Sequence, residues 1–304
     1  MALTYSEITA ITEKYFVKKL IDNVFESNVL FSRFKDKQIL LDGGERVLMP
    51  VAYATTTASG SYSGADTLDT TPNDQITSAE FTWTQYYANI TITGLDELKN
   101  SGDAAKVSFV KSKVQLAEKS LSDNLGTDLY NLGTTSGALI GLRLAVDSAG
   151  TYGGIDRGTY SWWAAQEDGT NTVLSIPVME ATYGDCTVGK SKPSIMPTTQ
   201  DIFDDYLALL QPQQRFTDSK TADAGFVNCL FRGTPVVVDQ HCPASHMFYL
   251  NEEYCHLYVH SKRNFKLEPF LKPTNQDVAT AKVYWAGVLG IDNCRMNGKL
   301  NTIA

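Results

Sequence analysis

Residues 54–79 contain almost no large apolar side chain, yet they lie between two runs that read as strands. The strip is built mainly from Thr, Ser, Gly, Ala and Asp, and such a composition cannot bury enough apolar surface to form its own core. It is also longer than most loops inside compact domains. Before it, Asp42-Gly43-Gly44 signals a turn and Val47-Leu48-Met49-Pro50-Val51 a strand. After it, the run from Glu80 to Ile92 alternates as a strand does, which places Phe81, Trp83 and Gln85 on one face. The pattern predicts a long β-hairpin with a polar tip projecting from the body. An isolated hairpin is marginal in water. A projection of this size is therefore expected to rest on a partner surface.

Helical periodicity marks three further stretches. Residues 3–34 open with Ile8, Ile11, Tyr15, Phe16, Leu20 and Val24 at helical spacing, with Lys14, Lys18 and Lys19 between them. Two readings stay open: a helix packed on its own domain, or an arm laid on a neighbouring subunit. Val107, Val110, Val114, Ala117, Leu121, Leu125 and Leu129 keep a 3-4 spacing. They predict a helix from Asp103 to Asn131, roughly 43 Å long at 1.5 Å per residue, preceded by a short helical piece from Leu95 to Asn100. One apolar stripe of that length suits a strut laid across a sheet. Few flanking charges follow the heptad of a coiled coil. Thr198 and Thr199 are N-cap residues for a third helix through Ile202, Phe203, Tyr206, Leu209 and Leu210, which Pro212 ends.

Residues 133–170 are glycine-rich and irregular. Strands are expected at Gly225–Phe231, Pro235–Asp239, His246–Leu250, His256–His260 and Leu267–Leu271. The chain is expected to close with a paired run, Ala279–Ile291 against Asp292–Leu300. No internal repeat is visible. A chain of 304 residues with 43% hydrophobic content suits one large or two modest domains. Its 15 Tyr and 13 Phe, many among Thr and Val, favour a β-rich or mixed fold.

Charge and cysteine usage exclude some functions. The net charge is −8, and no basic run occurs; Lys35 to Lys37 is interrupted by Asp36. Phosphate binding relies on Lys and Arg, so the chain is a poor nucleic-acid binder. Five cysteines stand at 186, 229, 242, 255 and 294, an odd number, widely spaced and without CxxC. Free thiols fit better than a disulfide framework. No apolar run approaches the roughly 20 residues a membrane helix needs. Met1 to Ala10 has neither the basic start nor the apolar stretch of a signal peptide.

Three motifs invite a chemical reading. Gly184-Asp185-Cys186-Thr187-Val188-Gly189-Lys190-Ser191 satisfies the GxxxxGK[ST] phosphate-loop pattern. That loop works only between a buried strand and a helix whose N-terminus cradles phosphates. Upstream, Pro177 to Tyr183 reads as the end of a helix; downstream, Pro193 and Pro197 forbid a helix of useful length. A chance match is the expectation. His241, His246, His256 and His260 fall within twenty residues, with Cys242 and Cys255 among them. Zinc takes Cys and His ligands, but none of its usual spacings occurs. Half-exposed histidines on a packed sheet are expected instead, with His256 and His260 on one face. A Cys–His nucleophile pair has no orienting residue or oxyanion hole to support it. Asn89-Ile90-Thr91 is a glycosylation sequon, which matters only in a secreted chain. No catalytic, cofactor or metal residue is assigned.

The order of elements resembles the Hong-Kong-97-like capsid fold of tailed bacteriophages, an α+β fold. Local sequences carry the likeness. Ile155-Asp156-Arg157 with Tyr160-Ser161-Trp162-Trp163 resembles the family's junction after the spine helix. Gly189-Lys190-Ser191-Lys192-Pro193 to Tyr206, with Gln213-Gln214-Arg215-Phe216, resembles its axial-domain segment, where the glycine-lysine turn merely joins two helical regions. Gly225-Phe226 to Asp239 resembles the next strand pair, with Gly233-Thr234-Pro235-Val236 after a turn, and Asp292-Asn293-Cys294-Arg295 to Leu300 the closing strand. The resemblance covers essentially the whole chain.

It implies an N-terminal arm (1–38), an E-loop hairpin (39–92), a peripheral domain with the spine helix (93–160), an axial domain (161–260) and a return to the peripheral domain (261–304). It also implies a major capsid protein and not an enzyme. Such a protein partners itself in pentamers and hexamers that close an icosahedral shell around double-stranded DNA. Head-to-tail contacts closing into rings are the physical requirement. An acidic wall would enclose DNA without specific binding. Scaffolding, portal and decoration proteins are further candidate partners, and no cofactor or membrane is implied. The expected location is the virion capsid, assembled in the host cytoplasm. Contact elements are expected at 1–38, 54–79, 155–163 and 215–225. Some members join chains through a lysine–asparagine bond; no local sequence assigns such a pair here. An encapsulin-like compartment shell is the alternative on the same fold.

Overall fold

The computed structural model describes residues 28–99, 109–170, 173–210 and 229–303. The arm helix over 3–27, residues 103–108 of the long helix and the loop at 215–225 lie outside these. In chain order the elements are α1 (Val29–Asp36), β1 (Ile39–Leu41), β2 (Arg46–Ala52), β3 (Ile76–Thr82), β4 (Thr84–Thr93), α2 (Gly94–Lys99) and α3 (Phe109–Asp128). Then come α4 (Leu142–Ala145), β5 (Thr151–Tyr152), β6 (Ile155–Asp156), β7 (Gln166–Asp168), α5 (Ile176–Asp185), β8 (Met196–Thr198) and α6 (Gln200–Leu210). The chain closes through β9 (Cys229–Phe231), β10 (Thr234–Val238), β11 (Met247–Tyr249), β12 (Cys255–His260), β13 (Lys266–Leu267), β14 (Val278–Ile291) and β15 (Gly298–Leu300).

These elements form two compact units. The smaller contains, among the described residues, 87–99, 109–121 and Leu267–Val283. Ile90, Ile92, Ala117, Leu121, Ala281 and Val283 are buried in it. The Gly94 N–H donates to Asp277 O at 3.0 Å, and Leu271 and Thr280 exchange backbone bonds at 2.9 Å. A side chain at position 94 would collide with the Asp277 carboxylate, 2.2 Å from where its Cβ would stand.

The larger unit contains a six-stranded sheet ordered β7-β15-β11-β8-β10-β9. Its core holds Met196, Val236, Met247, Tyr249 and Leu300 from strands, Met179 and Tyr183 from α5, and Ile202 and Tyr206 from α6. The two helices form where the sequence places them. The Thr199 carbonyl accepts from Phe203 N at 3.1 Å, so α6 starts beside the expected cap. The other large sheet has the order β1-β12-β14-β13, with β4 also paired to β14. Residues 255–259 of β12 run antiparallel to 287–291 of β14.

Three expectations need correction. The run from Glu80 to Ile92 is not one strand. Ala79 and Phe81 are buried before Trp83, whereas Thr84, Ile90 and Ile92 are buried after it. The single residue outside both strands shifts the alternation by one, so Gln85 faces solvent and does not share a face with Phe81. There β3 leaves its partner β2 and the chain enters another sheet as β4. The Trp83 indole N–H holds the crossing by donating to Gly44 O at 2.9 Å. Second, the closing strands do not pair with each other. A 3-10 turn at Cys294–Met296 redirects the chain, and β15 joins β11 and β7 in the six-stranded sheet. Asn297 fixes that turn: its Oδ1 accepts from Asn251 N at 2.8 Å and its Nδ2 donates to Asn293 O at 3.1 Å. Third, the strand expected at Leu267–Leu271 is reduced to β13 and one bridge from Leu271 to Thr280.

Candidate assembly surfaces

The hairpin divides into a packed stem and an open tip. Across β2, exposed and buried residues alternate strictly, and Val47, Met49 and Val51 point inward. All seven residues of β2 pair with β3, from Arg46 opposite Thr82 to Ala52 opposite Ile76. Buried Ala79 and Phe81 complete the inward face. The Glu80 N–H donates to Gly153 O at 2.9 Å, and the Phe81 ring lies 5.1 Å from Tyr152. Gly153 has φ +59°, and a Cβ there would meet Ala79 Cβ at 2.9 Å. Only glycine serves both demands. At the end of the stem, Tyr53 stacks on Trp162 with centroids 5.4 Å apart.

Beyond Tyr53 the side chains are exposed almost without a break until Ile76. The tip is held by local polar bonds. Tyr53 N donates to Gln75 O at 3.0 Å, Ser63 N to Asp66 Oδ2 at 2.8 Å, and the Thr71 hydroxyl to Asp69 at 2.6 Å. Those bonds from Thr71 hold the Asp69 carboxyl below its ordinary range. Tyr62 is 68% exposed and Leu68 57%; on the outer face of the stem Leu48 is 61% and Ile76 71% exposed. The projection has apolar groups on a face that nothing in its own larger unit covers. Residues 76–79, expected in the tip, belong to the stem.

The 155–163 segment, expected as a contact element, alternates between interior and surface: Asp156, Gly158, Thr159 and Ser161 are exposed. Ile155, Arg157 and Trp163 are buried, while Tyr160 is half exposed. Arg157 is 2% exposed. It donates to Ala145 O at 2.5 Å, Leu144 O at 2.9 Å, Ala149 O at 3.2 Å and Trp163 O at 3.3 Å. Its guanidinium also lies 5.3 Å from the Tyr152 ring centre. One side chain thus ties the helical turn α4, the turn before β5 and the Trp163 turn to the ring that supports the hairpin stem.

Two further buried charges organise the larger unit. Lys299, in the middle of β15, reaches Asp147 at 2.8 Å and Glu167 at 3.2 Å. Burial pushes the Asp147 carboxyl up, but the Lys299 bond, the Ala149 N–H and the Arg157 charge outweigh it and hold the pKa below the ordinary value. Glu252 has a nearly buried side chain and takes a two-point bond from Arg33 at 2.7 and 2.8 Å, with Lys37 at 3.4 Å. Burial works against its charge, and Arg33, Lys37 and Ser194 together lower its pKa. The pair clamps α1 to the loop before β12, next to buried Leu30, Phe31 and Phe34.

The motif residues do not converge. Gly184 and Asp185 end helix α5, Gly189 sits at φ +61° in a tight turn, and Val188 and Ser191 donate their N–H groups to each other's carbonyls. A helix precedes the turn and a strand follows it, the reverse of a phosphate loop. His241 lies 3.1 Å from Asp123, and His246 donates to Ala244 O at 2.7 Å. His256 meets Asp292 at 2.9 Å, and His260 packs against Trp83. His256 and His260 are half exposed on one strand face. Each histidine has its own partner, and among the described residues no three metal-ligating side chains gather. All five cysteines are buried free thiols. Burial pushes Cys186 up to about 12 and Cys294 to about 11, and raises the others, so they stay protonated at neutral pH. Among the described residues no helix is long and apolar enough to cross a membrane.

No protein-family model matches this sequence, and no curated protein matches it. Solved structures do. The chain is similar to the capsid asymmetric unit of cyanophage A-1(L), with a TM-score of 0.74 and 20% identity over 97% of this chain and 98% of that one. The capsid of a native GTA particle matches with a TM-score of 0.73, 11% identity and 100% of both chains. The holo-SrpI encapsulin complex from Synechococcus elongatus PCC 7942 matches with a TM-score of 0.62 and 8% identity, over 100% of this chain and 96% of that one. The likeness extends over 97% or more of the chain, so the fold of this protein is the Hong-Kong-97-like capsid fold.

Proposed function

We propose that this chain is the major capsid protein of a tailed bacteriophage. Copies of it form pentamers and hexamers that close into an icosahedral head around double-stranded DNA. The observation that carries the reading is the hairpin: a buried stem fixed to the body by Phe81, Tyr152 and Gly153, and an exposed tip with no core of its own. A stem held this firmly delivers the tip to a fixed place, and a second copy supplies the cover. Repeating that contact around a ring and between rings multiplies weak individual contacts through avidity.

On this reading the role is structural, with no reaction and no cofactor. Residues 1–38 act as the arm, 39–92 as the E-loop, 93–160 and 261–304 as the peripheral domain, and 161–260 as the axial domain. Scaffolding, portal and decoration proteins would be the other partners, and the assembled protein would reside in the virion after assembly in the host cytoplasm. The net charge of −8 suits a wall that encloses DNA without gripping it. An encapsulin-like compartment is the second reading, favoured by the full-length likeness to an encapsulin. Electron microscopy of the purified full chain is the test. Closed hollow particles of uniform diameter are expected, and a chain that stays monomeric over a wide range of concentration and salt would overturn the proposal. Packaged DNA in particles from the natural source separates a phage head from a compartment loaded with enzyme.

A further inference from the structure

The larger unit carries a cleft of about 620 Å³ lined by Lys37, Lys190, Lys192, Ser191, Ser194 and Asn251, with Glu252, Glu253 and His256 beside them. Its floor is rigid. Asn251 Nδ2 donates to Ser191 Oγ at 2.8 Å, and Ser194 Oγ to Glu252 at 3.1 Å. The Val188–Ser191 turn, closed by two backbone bonds, sets out Lys190 and Lys192 on either side of Ser191. Glu252 is neutralised from within the unit by Arg33 and Lys37. Neither Lys190 nor Lys192 has an ion-pair partner among the described residues, and both are exposed. The phosphate-loop look-alike thus presents two free lysines on a fixed turn, in a chain whose net charge is −8. The backbone turn fixes where the two lysines leave the chain, so the ordering cost of binding falls on their side chains alone.

The hairpin tip has the complementary character. Residues 53–75 carry Asp66, Asp69 and Asp74 and not one Lys or Arg. Resting on the assembly proposed above, we infer that the edge of this cleft carrying Lys190 and Lys192 receives the acidic hairpin tip of a second copy of this chain. The contact is electrostatic and selects which copy docks and in what orientation, as charge complementarity does at interfaces generally. It adds little affinity per pair, because exposed ion pairs are weak and screened by salt. Its repetition over a shell makes it count.

The test is a charge swap in the full chain, read by light scattering and electron microscopy. Lys190→Glu with Lys192→Glu is expected to raise the protein concentration needed for shells about tenfold, as two attractions become repulsions. Asp66→Lys with Asp69→Lys is expected to do the same. The two pairs combined are expected to restore assembly towards the original concentration. Circular dichroism of each variant confirms that the subunit is folded, and the combined variant keeps the test valid if one pair folds poorly. Failure of the combined variant to improve on either pair would overturn the docking. Shortening the tip separates the two levels: if that blocks shells while the lysine swap changes nothing, the cleft is wrong and the proposed function stands. If the lysine swap leaves assembly intact but abolishes retention of a DNA oligonucleotide, the cleft serves nucleic acid and the docking is overturned.

Discussion

Arg157→Ala is expected to destabilise the subunit by about 4 kcal/mol or more. The side chain is buried and satisfies four backbone carbonyls in three separate segments. Alanine leaves those acceptors unpaired in a space too enclosed for easy hydration, and each such group costs about 1–3 kcal/mol. It also removes the cation from the Tyr152 ring, against which Phe81 and the hairpin stem pack. Arg157→Lys is expected to recover little, because an ammonium cannot reproduce the planar fork that reaches four carbonyls at once. Thermal denaturation checks this. At roughly 2 °C per kcal/mol for a chain of this size, the midpoint should fall by about 8 °C. A shift under about 2 °C would mean that water replaces the guanidinium without loss.

Lys299→Met is the second large effect, expected at about 3 kcal/mol. Methionine fits the volume but strands two carboxylates, Asp147 and Glu167, that now face each other without a cation. The sign of the pH dependence follows from Asp147. Its folded pKa lies below its unfolded value, so its contribution is fully present above the ordinary carboxylate range and is lost as pH falls through the folded value. The wild type should therefore lose stability in acid more steeply than the variant, and the gap between their denaturation midpoints should narrow as pH drops. Parallel pH profiles would contradict the role given to this lysine.

The burial of neither charge is visible in the sequence. Arg157 stands there only as part of the Ile155-Asp156-Arg157 motif, and its carbonyl partners lie 6 to 13 residues away in irregular segments whose path no periodicity marks. Lys299 finds Asp147 from 152 residues away. What was legible depends on local physics. The 3-4 stripe gave helix α3, and Leu121, Leu125 and Leu129 are fully buried as it requires. Val110, on the same stripe, is 48% exposed, since periodicity names a face and not what covers it. Strand alternation gave β2 and β12. It failed at Trp83, where one residue out of register sends the next strand to a different sheet. The closing strands look like a hairpin because they are adjacent in sequence, yet the Asn297 bonds commit the second to another sheet. The hairpin itself was the clearest signal, because a stretch without large apolar side chains cannot be mistaken for core.

Ala79 is fully buried and the stem runs out to the pair Ala52–Ile76, so a clean truncation must spare the stem. Tyr53 and Gln75 are bonded across its end, and residues 54–74 can be replaced between them by an Asn-Gly turn. Sedimentation of this shortened chain beside the full one is the decisive comparison. A folded, soluble subunit with an unchanged circular dichroism spectrum is expected, with no shells at any concentration where the full chain forms them. Shells of normal size and yield from the shortened chain would contradict it.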